Sequence, residues 1–324
     1  MICKIVIPTT GNAEMLERLL QPWAASSFCW DGIEIVVAQN GDGESCEKEL
    51  AAYKKSLPIR YVHFAPPCKN HALNQVVEED PDVLIIFYDD DVRVDVSAIE
   101  QYIQAGKKYG EGHYFGGPVE PEYSGRLDMM LWPFVPTCTK GLYLDRKDEA
   151  VLDHQFFLGH NWAAFAKDII KCGGFDERLG PGKITHAPVG DECKIQEAMS
   201  AGGCKAVFLP SCKARHYVDT DQVTLEWSRF RAFNRGFIES LFQTKITSRF
   251  YTFLRSVAPS ISLFLLKILC KAIRKQLTKT ERYSLFHRIS YTQGKLAGLK
   301  ANRKFHNSPQ RLECDIKLNA NISK

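Results

Sequence analysis

Short apolar runs rich in Ile, Val and Tyr recur along the first part of the chain, at residues 4–8, 33–38, 60–64 and 83–88. Each gives way to turn residues or a polar segment, as buried strands do. Between them, patterns of helical period occupy 13–20, 44–55 and 71–79, the last with Ala72, Leu73, Val76 and Val77 on one stripe. Strands separated by helices of this length predict a parallel sheet built from βαβ units. Ligands of such sheets bind at the carboxyl ends of the strands. Chemistry is therefore expected at Thr9-Thr10-Gly11-Asn12, Gln39-Asn40-Gly41-Asp42 and Asp89-Asp90-Asp91.

Past residue 112 the pattern loosens. Gly116-Gly117-Pro118 ends a short strand, and 120–153 mixes Pro, aromatic and charged residues without a period, which suggests a substrate-facing insertion. Helices are expected at 167–172 and 192–201, each closed by a Gly-Gly pair, with a strand at 206–209. From Trp227 onward the pattern is mostly helical. No internal repeat is evident.

With 45% hydrophobic and 25% charged residues in 324, the chain is neither disordered nor collagenous. Its longest strongly apolar run, 261–266, is closed by Lys267, well short of the ~20 residues that span a bilayer. The amino terminus runs straight into a strand pattern rather than a signal peptide. Cytoplasmic residence is expected. Eleven cysteines, an odd number without any C-x-x-C pair, predict free thiols rather than a disulfide framework or a zinc cage.

Charge divides the chain near residue 243. Residues 244–324 hold seventeen Lys and Arg against three Asp and Glu, a net +14, which leaves −10 for residues 1–243. A basic tail on an acidic body seeks polyanions. Within 261–275, Lys267, Lys271, Arg274 and Lys275 fall on one face, while Leu263, Leu266, Cys270 and Ile273 line another that Leu265, Ile268 and Leu269 widen. A basic amphipathic helix of this kind suits an anionic membrane surface. Nucleic acid is not expected, because the acidic body would repel its backbone.

Asp89-Asp90-Asp91 follows a fully apolar strand. Three adjacent carboxylates at a sheet end repel one another unless a cation neutralises them. Alternate residues of an extended segment face one side, so Asp89 and Asp91 can converge on one divalent ion. Their hard oxygens suit Mg2+ or Mn2+. Asp191-Glu192 opens a helix behind Gly190, and His216 follows a strand and the Pro210 turn. Together these residues suggest a metal site and a general base.

Six segments carry a resemblance to a known family. Val6-Ile7-Pro8-Thr9-Thr10-Gly11-Asn12, Glu34-Ile35-Val36-Val37-Ala38-Gln39-Asn40-Gly41, Lys69-Asn70-His71-Ala72-Leu73-Asn74 and Asp89-Asp90-Asp91-Val92-Arg93 come in the family's order. Gly159-His160-Asn161-Trp162 with Gly173-Gly174-Phe175-Asp176-Glu177, then Gly190-Asp191-Glu192, complete it. The chain resembles family 2, GT-A fold nucleotide-sugar glycosyltransferases over roughly residues 2 to 240. The resemblance implies an α/β, Rossmann-type, mostly parallel sheet flanked by helices, with a basic helical extension. It implies a glycosyltransferase domain at 1–243, with a donor half to about 112 and an acceptor half at 113–243, followed by the extension at 244–324. Donor binding is implied for Pro8, Thr9, Gln39, Asn40, Asp42, Lys69, Asn74, Asp89 and Asp90. Asp89, Asp91 and His216 are implied as ligands of Mn2+ or Mg2+, and Asn161 and Trp162 as acceptor contacts.

Two departures stand out. Members often carry an acidic residue after the second strand that pairs with uracil, where this chain has Gln39 or Asn40 with Asp42 nearby. The usual Glu-Asp order is inverted to Asp191-Glu192, so the base position holds the longer Glu192, with Asp191 as the fallback. The implied reaction is inverting transfer of a sugar from a nucleotide-sugar donor to a glycan or lipid-linked hydroxyl, on the inner membrane face if the tail docks there. A noncatalytic nucleotide-sugar-binding protein on the same fold is the alternative. A nucleotidyltransferase is disfavoured, since Thr9-Thr10-Gly11-Asn12 offers no Lys or Arg to a triphosphate.

Overall fold

The computed structural model describes residues 3–180, 190–242, 249–273 and 277–307. The elements follow in the order β1 (Cys3–Thr9), α1 (Ala13–Ala24), β2 (Ile33–Asn40), α2 (Glu47–Leu50), β3 (Ile59–Phe64), α3 (Lys69–Val77), β4 (Leu84–Phe87), β5 (Val92–Val94), α4 (Val96–Tyr109), β6 (His113–Gly116), β7 (Val119–Tyr123), α5 (Thr137–Lys140), β8 (Ala150–Leu152), β9 (Trp162–Phe165), α6 (Ala166–Lys171), α7 (Asp191–Ala201), β10 (Lys205–Phe208) and β11 (Ala214–Val218). Three helices close the series: α8 (Leu225–Leu241), α9 (Arg249–Ile273) and α10 (Lys279–Asn307).

Eight strands form one sheet in the order β3-β2-β1-β4-β9-β6-β10-β8. β9 and β8 run against the other strands, through antiparallel pairs with β4, β6 and β10. The remainder is parallel, as the alternation of strands and helices requires. Alternate side chains of each strand feed two cores. Ile5 and Ile7 of β1 join Leu16, Leu19 and Trp23 of α1 and Tyr102 of α4 on one face. Val6 joins Leu73 and Val76 of α3 with Ile195 and Met199 of α7 on the other. A sheet covered on both faces explains why its strands read as continuous apolar runs.

Helix starts follow local chemistry. The Asn12 side chain accepts from Met15 N at 3.3 Å and the Asp95 side chain from Ser97 N at 2.9 Å, so each caps the helix behind it. The expected helix over 44–55 is a single turn, α2. Beyond it the chain winds on through three-residue turns, Tyr53 N to Leu50 O and Ser56 N to Tyr53 O. The segment 120–153, expected to lack regular structure, contains α5 and contributes β7 and β8 to sheets.

A second, three-stranded sheet has the order β5-β11-β7. β11 pairs antiparallel with β5, setting His216 opposite Val92, the residue after the aspartate triplet.

The chain divides into two compact units. The first is built on Met1–Glu177 and Gly190–Thr224 and holds both sheets. The second is built on Leu225–Lys324 with a short stretch from Arg178. The boundary expected at 243 lies outside the described residues. In the second unit α8 and α10 pack tightly: a Cβ on Gly294 would lie 1.9 Å from Phe233 O, and one on Gly236 2.2 Å from Tyr291 O. On α9, Lys267 is exposed, and so are Ile261, Phe264, Leu265 and Ile268, at 49 to 64%. Leu263 and Leu266 are half-buried. The expectations for Lys271, Cys270, Leu269, Ile273, Arg274 and Lys275 lie outside what is described. No helix among the described residues is long and apolar enough to cross a membrane.

Candidate active site

β4 lies between β1 and β9, and its chain continues straight into the aspartate triplet. The three carboxylates take three different partners. Lys69, the first residue of α3, donates from Nζ to Asp89 Oδ1 at 2.5 Å. Thr9 Oγ1, at the end of β1, donates to Asp90 Oδ2 at 2.5 Å. His216 Nε2 stands 3.3 Å from Asp91 Oδ2, brought across 125 residues by the β5–β11 pairing. Asp90 turns to Thr9, while Asp89 and Asp91 turn to basic side chains, across the turn that joins β4 to β5.

The electrostatics follow from burial and these partners. Burial lifts the Asp89 carboxyl, and Lys69 opposes the lift without cancelling it. Burial pushes Asp90 up to about 7 against the Thr9 hydrogen bond, with Asp91 and Asp89 adding to the rise. For Asp91, burial is outweighed by the hydrogen bond and charge of His216, and its carboxyl falls below the usual range. His216 moves the other way: burial lowers it, but the hydrogen bond and charge of Asp91 outweigh burial and raise it. Its Nδ1 donates to Cys138 O at 3.1 Å, which anchors the ring and aims Nε2 at Asp91.

Glu192 lies at the start of α7, behind Gly190 at φ +94°. It lines one pocket together with Asp191, Lys69, Asp89, Pro8 and Trp162. Gly159 allows this approach, since a Cβ there would lie 3.1 Å from Glu192 Cδ. Gln196, one turn further along α7, accepts from Phe157 N at 2.8 Å and donates to Phe157 O at 3.1 Å, tying the helix to the loop before β9. Burial, then the adjacent Asp191, hold the Glu192 carboxyl well above its usual range. Burial works against the Lys69 ammonium, but Asp89, Asp191 and Glu192 keep it charged. One cation thus faces carboxylates from both strand end and helix start.

Other residues singled out from sequence serve the frame. Asn161 is fully buried; its Nδ2 donates to Pro118 O at 3.0 Å and Cys212 O at 2.8 Å, and its Oδ1 accepts from Tyr102 OH at 2.9 Å. No amide atom is left to face an acceptor. Trp162 is buried and stacks on Phe87, centroids 4.6 Å apart, forming an apolar wall of the pocket. Asn74 clamps Phe175, accepting from its N at 2.8 Å and donating to its O at 2.9 Å. Gln39 braces the loop after β2, donating to Glu44 O at 2.9 Å and accepting from Cys46 N at 3.1 Å. Asn40 Nδ2 donates to Thr9 O at 3.0 Å and joins the ends of β2 and β1. Asp42 is exposed on that loop, and Pro8 lines the pocket.

Sequence reasoning gave His160 no role. It is 5% exposed, its Nδ1 lies 3.9 Å from Asp89 Oδ2, and its ring stacks on His216 with centroids 4.3 Å apart. The β4–β9 pairing sets Phe87 opposite Trp162, with Asp89 two residues after the one and His160 two before the other, a closeness no local pattern in the sequence announces.

Among the described residues, no three His, Cys, Asp or Glu side chains are already arranged to hold a metal ion. Lys69 and His216 occupy Asp89 and Asp91 instead. Two polar atoms in the same cluster, Asp91 Oδ1 and His160 Nε2, are nevertheless buried without a hydrogen-bond partner. Buried polar atoms are rarely left so. Carboxylate oxygens beside a carbonyl-anchored imidazole form a donor set that fits Mg2+ or Mn2+.

The model of glycosyl transferase family 2 matches residues 4–173. Among solved structures, S. aureus TarS residues 1–349 is 13% identical, with a TM-score of 0.53 over 94% of this chain and 92% of that one. The same protein in complex with UDP-GlcNAc is 12% identical, with a TM-score of 0.52 over 94% and 92%. The mannosyltransferase PcManGT from Pyrobaculum calidifontis, in complex with GDP-Man and Mn2+, is 16% identical, with a TM-score of 0.54 over 93% and 86%. At these identities the likeness is one of fold. No curated protein matches the chain.

Proposed function

This chain belongs to glycosyl transferase family 2, and on that premise we propose that it moves a sugar, with inversion, from a nucleotide-sugar donor to a hydroxyl of a glycan or lipid-linked acceptor. The observation that carries this reading is the shared pocket of Lys69, Asp89 and Glu192. Lys69 provides a fixed positive charge for the donor's diphosphate, and the ends of β1 and β4 provide the ledge on which the donor lies. Glu192 is the general base. A carboxylate held above its ordinary range by burial is a stronger proton acceptor for a hydroxyl than an ordinary one. As it takes the proton, the acceptor oxygen attacks the anomeric carbon and the bond to the diphosphate oxygen breaks on the opposite face. One displacement inverts that carbon.

Asp89, Asp91 and His216 would hold Mn2+ or Mg2+, which when bound neutralises charge on the departing diphosphate. Asp90, bonded to Thr9, positions the triplet's backbone between them. The PcManGT complex with Mn2+ supports a divalent ion on this fold.

The second unit extends the proposal to location. Ile261, Phe264, Leu265 and Ile268 recur at i, i+3, i+4 and i+7 of α9 and are exposed, and α9 contains no acidic residue. Such a face, in a tail of net +14, suits peripheral docking on an anionic leaflet where a lipid-linked acceptor resides.

A panel of nucleotide sugars, with Mn2+ or Mg2+ and with chelator, tests the catalytic reading by nucleotide release. Metal-dependent turnover of one donor, with inversion seen in the product's anomeric NMR signal, is expected. Donor binding without turnover on any acceptor would leave a noncatalytic nucleotide-sugar-binding protein instead. Retention would exclude Glu192 as base of a single displacement.

A further inference from the structure

We propose that the outer face of the β5–β11–β7 sheet is a second anion site, which takes a phosphate group carried by the acceptor. The acceptor role rests on the transfer reading above; the anion site does not.

The small sheet has two unlike faces. Val92, Val94, Ala214, His216 and Val218 are buried on the inner one, and alternation turns Arg93, Arg215 and Tyr217 outward. The register of β11 sets Arg215 directly opposite Arg93. Like charges in that position destabilise an antiparallel pair, and Glu or Thr at either place would remove the repulsion. The neighbouring carboxylates do not balance it. Glu122 on β7 is shared by Arg18 at 3.1 Å and Arg93 at 3.3 Å. Glu120 is shared by Lys213 at 3.8 Å and Arg215 at 4.0 Å. Four cations thus meet two carboxylates among the described residues of this face, in a body whose net charge is −10. Positive charge gathered against the sign of the body calls for an anion. A phosphate ester carries about two negative charges at neutral pH and matches the excess of two, where a carboxylate offsets half of it.

The same side chains shape a groove. Arg18 reaches over from α1 and lies 4.3 Å from the centroid of the Tyr217 ring, a stacking that fixes the guanidinium plane. Together with Arg93 and Arg215 they line a hollow of about 200 Å³ that opens to solvent. Guanidinium forks meet phosphate oxygens two at a time. The groove ends at Asp90 and Asp91, whose carboxylates are taken by Thr9 and His216. The pocket of Lys69 and Glu192 reaches the triplet at Asp89 instead, and the two share no lining residue. An anion in the groove therefore lies beside the donor's pocket without entering it. That is a place for the charged group of a second substrate, and phosphate is the group that phosphorylated glycans and lipid-linked diphosphates have in common.

The test uses the full chain saturated with a nucleoside diphosphate, which keeps added phosphate out of the Lys69 pocket. Inorganic phosphate, a sugar phosphate, and a prenyl diphosphate in neutral detergent micelles are then titrated, with melting temperature and affinity as readouts. Inorganic phosphate and at least one of the two carriers should stabilise the wild type, and the carrier that does so names the acceptor's chemistry. Arg93→Gln and Arg215→Gln should each weaken that binding about tenfold or more, with nucleotide binding unchanged. Without phosphate both variants should melt no lower than the wild type, because each relieves a like-charge pair. Unchanged phosphate binding in the folded variants overturns the proposal and leaves the arginines to the sheet's own ion pairs. A wild type that no phosphate compound stabilises overturns it as well. Binding of inorganic phosphate with neither carrier overturns the acceptor role and leaves a site for free phosphate. Phosphate binding that needs both arginines in a chain that takes up no nucleotide sinks the transfer reading, and the acceptor role with it, while the anion site stands.

Discussion

Lys69 donates to Asp89 at 2.5 Å, so the first carboxylate of the triplet is already neutralised by an ammonium from another βαβ unit. The pair is part of the fold as much as of the site. Lys69→Met should leave Asp89 unpaired and cost about 3 kcal/mol of stability, the low end for breaking a buried pair, since both side chains keep some exposure. Urea unfolding at neutral pH measures this. A loss below about 1 kcal/mol would mean that solvent screens the pair and that Lys69 is free to serve the donor alone.

Glu192→Gln should keep donor binding and lower kcat by roughly 10²–10⁴, the usual worth of a positioned base. The working form is deprotonated and its pKa is raised, so activity should climb with pH through a limb well above the usual carboxylate range. Asp191→Asn removes one cause of that rise and should move the limb to lower pH. A limb that stays in place in Asp191→Asn, or near-wild-type turnover in Glu192→Gln, would take the base role from Glu192.

Asp90 sits at about 7 against an ordinary 3.8, so folding disfavours its ionised form. The stability difference between Asp90→Asn and wild type should be small below pH 4, grow as pH rises, and level off above about 7. Thermal melts across that range, without donor or metal, check the sign. A difference that shrinks with rising pH would show that the Thr9 hydrogen bond dominates.

Asn161→Ala removes three hydrogen bonds inside a closed core and should destabilise by about 2–4 kcal/mol. Acceptor KM should move only as far as the folded fraction does. If the variant melts with the wild type and raises acceptor KM alone, the acceptor role implied by the family motif is restored.

Phe264 and Leu265 are the most exposed of the four apolar side chains on α9, and each gains roughly 1.5–3 kcal/mol on full burial. Changing both to Ser should weaken binding to acidic liposomes at least tenfold, while salt weakens but does not abolish wild-type binding. Sedimentation with vesicles reads this. Indifference of the wild type to acidic vesicles at low salt would remove the membrane from the proposal.

The apolar runs and their spacing determined the parallel strands of the large sheet, because a strand buried on both faces has no choice of side chain. They also placed Asp89, Asp91 and Glu192 at a strand end and a helix start, where local sequence suffices. Tertiary pairing decided the rest. β9 is an antiparallel strand inserted beside β4, and no local period tells an antiparallel neighbour from a parallel one; that insertion alone brings His160 to Asp89. The β5–β11 pairing carries His216 to Asp91. Asn161, Gln39, Asn40 and Asn74 stand in motif positions that suggest ligand contact, yet their amides are engaged within the protein, Gln39 by its own loop and the others chiefly by backbone far away in sequence. An amide reads the same in sequence whether it meets a ligand or a buried carbonyl, and only the fold says which polar groups had to be satisfied from within.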